Sequence, residues 1–150
     1  MKTLTFALGI LLLGWTGCST TFRSKDDVAR KEQDGIQGTW KLVALEYDGK
    51  QAPPEIVAAL KLVFRGDTLT FTPGEPGFTN YKYKLDPAAK PPRFALTHAD
   101  GPDEGQTEQG ISLLDGDHLK ICFGKADKRP VELTATAGSG QGMYSLERER

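Results

Sequence analysis

Few side chains in this sequence could do chemistry. Two histidines, His98 and His118, and two cysteines, Cys18 and Cys122, accompany 20 Asp and Glu residues. A zinc site needs three or four ligands converging in space. His98 and His118 fall on different strand-like runs, so a carboxylate such as Asp100 would have to complete the set. Asp100, Asp103 and Glu104 match no calcium-loop spacing. Neither a Ser/His/Asp nor a Cys/His arrangement marks a nucleophile. The run "AGSGQG" (137–142) lacks the strand-to-helix setting of a phosphate loop. Arg65-Gly66-Asp67 reads as hairpin chemistry, not as an adhesion motif. These residues point to a non-catalytic protein with no metal and no cofactor.

Cys18 is the exception, because of what precedes it. "MKTLTFALGILLLGWTGCST" carries Lys2, an uncharged run from Thr3 to Gly17, and then the cysteine. At 1.5 Å per residue that run is shorter than the ~30 Å hydrocarbon core, which suits a signal peptide better than a span. Thr16-Gly17-Cys18 resembles a bacterial lipobox, with Trp15 where Leu is usual. The reading is a signal peptide over 1–17 and acylation at Cys18, placing the protein in the cell envelope on a lipid anchor. Cleavage with release as a secreted or periplasmic protein is the alternative. Processing would leave 133 residues with a formal charge of −2. Cys122 would then be the one thiol, with no partner for a disulfide, and reads as a small buried hydrophobe.

The elements that must position these residues begin after a polar leader. Residues 18–35 read as the lipidated cysteine and a polar tether with one helical turn, capped by Ser24 and Asp27. Such a tether reaches roughly 20–25 Å. Residues 36–150 read as one domain, long enough for a true core. The near-neutral charge argues against nucleic acid, which demands a basic surface.

From Gly38 the apolar period is two. Trp40 and Leu42 face one way, while Val43, Leu45 and Tyr47 face the other, so a bulge is expected between them. "PPEIVAAL" predicts a short helix with Pro54 in its first turn, with Ile56, Val57 and Leu60 on one face, capping a barrel end. In "LVFRGDTLTF" a two-residue loop at Gly66-Asp67 pairs Phe64 with Leu69 and Leu62 with Phe71. "YKYKL" puts Tyr81, Tyr83 and Leu85 on one side, and "RFALTH" groups Phe94, Leu96 and His98. "HADGPDEGQTEQG" reads as a polar loop. "GISLLDGDHLKICF" predicts a hairpin near Asp115-Gly116, with Leu114, Leu119, Ile121 and Phe123 opposite Ile111, Leu113 and Cys122. "VELTAT" and "MYSLER" supply the last strands. The fold class is all-β: an eight- to nine-stranded antiparallel up-and-down barrel with one short helix, closed so that no edge is exposed.

"GTWKLV" with "DGK", "YKLDPAAKPPRFALT", "GISLLDGDHLKICF" followed by "RP", and "SLERE" resemble the uncharacterised lipocalin-like domain of planctomycete secreted proteins. The resemblance covers residues 36–148, and Gly38-x-Trp40 is also similar to the lipocalin signature. It implies a lipocalin-like barrel in an extracytoplasmic setting, and no activity. An eight-stranded barrel can hold one small ligand. A small apolar ligand would be lined by Trp40, Leu42, Leu62, Phe64, Leu69, Phe71, Tyr81, Tyr83, Phe94 and Leu96. The alternative is an envelope scaffold or interaction domain whose barrel those side chains fill.

Overall fold

Ser24 and Asp27 form a capping box. The Ser24 hydroxyl accepts from Asp27 N at 3.1 Å, and the Asp27 carboxylate accepts from Ser24 N at 3.3 Å. This satisfies two donors that a helix start leaves free. The computed structural model describes residues 24–72, 80–125 and 128–150; the expected signal peptide and lipidation at Cys18 lie outside them. From its cap, α1 (Lys25–Ile36) continues for 12 residues. The stretch expected to be a tether with one helical turn is therefore mostly helix, and it is fastened to the barrel. Its last residue, Ile36, is buried in the core. Gln33 and Gln37 donate through Nε2 to the Gly66 carbonyl, and Gly66 N donates to Gln37 Oε1 at 2.7 Å. These long-range polar contacts do the work of the apolar face that α1 lacks.

Nine strands follow: β1 (Gly38–Tyr47), β2 (Lys50–Gln51), β3 (Lys61–Arg65), β4 (Thr68–Thr72), β5 (Asn80–Asp86), β6 (Arg93–His98), β7 (Thr107–Asp115), β8 (His118–Phe123) and β9 (Gly142–Arg148). Every pairing is antiparallel and follows chain order, and β9 returns to pair with β1. The result is a closed eight-stranded barrel, with β2 added outside on β1. The β1–β9 register shifts between Leu42 and Ala44. Val43 is left on the surface, and Leu45 returns to the core side with Leu42. The change of apolar face marks this bulge, but Leu45 packs on the opposite side from the one alternation alone assigns.

The β3–β4 register joins Phe64 to Leu69 and Leu62 to Phe71 around Gly66-Asp67, as the pattern predicts. Gly66 has φ of +60°, which a β-branched residue resists. The β7–β8 turn falls one residue later than expected, at Gly116-Asp117, because Asp115 pairs with His118. α2 (Pro54–Ala59) forms with Pro54 at its start. It packs against β1, and Ile56 turns to solvent while Val57 and Leu60 meet the core.

"VELTAT" is not a strand. Residues 131–136 instead cover the outer wall, where Cys122 Sγ donates to the Thr134 carbonyl and Ala135 is buried. Ile111 and Cys122 are buried on this outer face, while Leu119, Ile121 and Phe123 point into the barrel core. That explains why β7 and β8 carry apolar residues on both faces.

One barrel end is closed by Trp40, which is fully buried. Its indole N–H donates to the Ile36 carbonyl at 2.8 Å, and the Arg148 guanidinium lies 4.3 Å from the ring centroid. Arg148 also donates to the carbonyls of Gln37 and Gly35 and to Asp117 Oδ1. The hairpin turn at Gly66 joins this end, since Tyr83 donates its hydroxyl to the Gly66 carbonyl at 2.7 Å. Gly66→Val should cost about 1–3 kcal/mol through backbone strain alone, because a Cβ there meets nothing within 4 Å. Chemical denaturation measures this, and an unchanged midpoint would contradict the turn.

Candidate ligand-binding mouth of the barrel

The interior has two parts. Near the closed end, Trp40, Leu42, Leu62, Phe64, Leu69, Tyr83, Phe94 and Leu96 are each at most 4% exposed. The packing is aromatic: Phe64 meets Tyr83 edge-on at 5.1 Å between ring centroids, and Tyr83 stacks on Phe94 at 5.7 Å. Such pairs add roughly 0.5–1.5 kcal/mol beyond area burial. Eight of the ten residues expected to line a ligand therefore fill one another's space. Phe71 and Tyr81 pack against this core and are only partly buried.

At the opposite end the barrel stays open. A cavity of about 380 Å³ is lined by residues that include Tyr47, His98, Glu108, Phe123, Gly142 and Tyr144. Register explains how they converge. Leu96, which faces the core, pairs with Glu108, so Glu108 also faces inward. Ile121 pairs with Tyr144, Phe123 with Gly142, and Gly142 with Tyr47. Two glycines allow this packing: Gly110 because Phe123 lies against it, and Gly142 because it borders the cavity itself. A Cβ at Gly110 would come within 2.7 Å of the Cys122 carbonyl and 3.0 Å of the Phe123 ring. At Gly142 it would face Tyr47 and Tyr144 across 3.5 and 3.9 Å.

His98 reaches Glu108 Oε1 through Nε2 at 3.0 Å. Its ring meets Tyr81 edge-on, with centroids 4.9 Å apart. Its Nδ1 is buried with no hydrogen-bond partner among the described residues. The tautomer with hydrogen on Nε2 suits this geometry, donating to the carboxylate and leaving Nδ1 as an unused acceptor. Tyr144 completes a line of ring contacts with Phe71 and Phe123. Burial pushes its phenol up to about 12, and the nearby charge of Glu108 adds to the rise. Tyr81 is raised by burial first and then by Glu108, Asp100 and Asp103.

His98 and His118 sit at opposite ends of the barrel, and His118 faces Glu147 at 3.8 Å. Asp100 bonds Asn80 Nδ2 at 2.9 Å. Among the described residues no three His, Cys, Asp or Glu side chains gather as a metal site. Burial raises the Cys122 thiol, the opposite of what a nucleophile requires. The loop read over "HADGPDEGQTEQG" is shorter than expected, since β7 begins at Thr107. That hid Glu108, and Tyr144 carried no signal beyond its strand.

No family model, curated protein or solved structure matches this chain.

The mouth predicts a spectroscopic signature. The folded Tyr144 phenol holds its proton more tightly than an unfolded one. Its contribution to stability is therefore intact below about pH 10 and is lost as pH rises toward about 12. Ultraviolet titration should show a last phenol step near 12 that Tyr144→Phe removes. An unchanged titration in that variant would contradict the burial of Tyr144.

Proposed function

We propose that this is a non-catalytic envelope lipoprotein, anchored through acylated Cys18, whose lipocalin-like barrel binds a small ligand at its open mouth. The observation that carries this reading is the contrast between the ends: a plugged, filled floor below a lined cavity of about 380 Å³. That volume lies at the lower end of small-molecule sites, which run roughly 300–1,000 Å³. A ligand with a compact apolar body suits it, whereas a long acyl chain would need the space that Phe64, Phe94 and Leu96 occupy. Since α1 docks at the closed end and only residues 19–23 separate Cys18 from Ser24, the start of α1 would lie within about 20 Å of the membrane. The mouth would open away from it.

A second reading, a non-catalytic envelope scaffold or interaction domain, is favoured by the filled floor. Native mass spectrometry of the protein purified from its own membranes separates the two. The expected species begins at acylated Cys18 and carries a small co-purifying mass. Gly142→Leu, which places a side chain in the mouth at a position with room for its Cβ, should abolish that mass. A protein with no bound mass supports the scaffold. An unmodified Cys18 in the soluble fraction would overturn the anchor.

A further inference from the structure

The chemistry of the mouth goes further than its volume. We propose that the ligand held there is a small organic cation, a protonated amine on a compact aromatic or apolar body. This rests on the mouth-binding reading above and specifies its ligand class.

The first support is the placement of Glu108. Its backbone partner Leu96 puts it on the inner face of the barrel, and its side chain is 44% exposed, toward the cavity it lines. One oxygen bonds His98, and that imidazole, only 12% exposed, is itself held against the Tyr81 ring. His98 is thus a positioning residue. It is bonded on one side only, and that bond sets the direction of the carboxylate. A carboxylate fixed in this way beside aromatic rings favours a ligand that brings a positive charge, and covering it with a neutral ligand would desolvate its charge with only the His98 bond in return.

The second support is the wall itself. Tyr47, Phe123 and Tyr144 line the same cavity, and the faces of aromatic rings attract cations within about 6 Å of their centroids. Tyr144, whose phenol burial pushes up to about 12, adds its ring quadrupole and hydroxyl without adding charge.

The third support is the balance of charge. Among the described residues that line the cavity, Asp103 and Glu108 stand against one lysine, Lys125, whose stem packs beside Gly140. An anionic ligand would meet two carboxylates for that one lysine.

Three probes of matched shape test the class: phenethylamine, phenethyl alcohol and phenylacetate. Each is titrated at pH 7 into the full chain in non-ionic detergent, with binding followed by nuclear magnetic resonance. Phenethylamine should give saturable shifts at Glu108, Gly142 and Tyr144, and should bind about 10-fold or more tightly than either analogue, as a charge-assisted hydrogen bond supplies. Glu108→Gln keeps an oxygen for His98, and should weaken the amine by a similar factor while leaving the alcohol unchanged. Lys125→Ala should strengthen amine binding, which gives a second readout should Glu108→Gln fail to fold. If the alcohol or phenylacetate binds at the mouth as well as the amine, the mouth site stands and the cation assignment falls. If none of the three shifts a mouth resonance, both readings fall.

Discussion

The structure depends on how the Trp40 ring is held. A closed eight-stranded barrel has two open ends, and an apolar interior cannot leave both wet. Trp40 covers one of them, but an indole brings a buried N–H that needs an acceptor. The acceptor is the Ile36 carbonyl at the end of α1, so the ring and the helix fix each other. Arg148, from the last strand, lies over the ring and donates to the carbonyls of residues 35 and 37 and to Asp117. The two ends of the described chain therefore meet at one aromatic side chain. The β3–β4 turn is drawn in as well, because Gln37 and Tyr83 both bond Gly66.

Closure at that end sets the character of the other. With Trp40 as a floor, the next layers are filled by Phe64, Tyr83, Phe94 and Leu96, each almost fully covered. Space appears at the mouth, where Gly142 takes the place of a side chain and the lining includes tyrosines and a carboxylate. The barrel is a rigid stand for a shallow mouth, and ligand size is limited by the packed rings beneath it. His98, Glu108 and Tyr144 in that mouth sit on strands, where ladder pairing holds them more firmly than a loop would.

Much of the fold was legible because its signals are local. Gly66-Asp67 with alternating residues on both sides fixes a hairpin and its register without help from distant parts. The change of apolar face after Leu42 announced the bulge. What could not be read depends on contacts across the chain. α1 shows no apolar stripe, because polar side chains and one terminal isoleucine fasten it. The apolar outer faces of β7 and β8 made sense only once residues 131–136 were seen to cover them. Of the ten residues read as a ligand lining, most carry the correct facing, yet alternation cannot tell a lining from a filling. Glu108 escaped notice because its inward direction follows from pairing with Leu96, a register set across a loop of unknown length.

The central claim is that the lower barrel is filled and that only the mouth is hollow. Crystals pressurised with xenon test it most directly, since xenon occupies dry apolar cavities. The account predicts no xenon beside Trp40, Phe64 or Phe94, with any bound atom confined to the mouth near Phe123 and Tyr144. A well-occupied xenon site between Phe64 and Phe94 would contradict it.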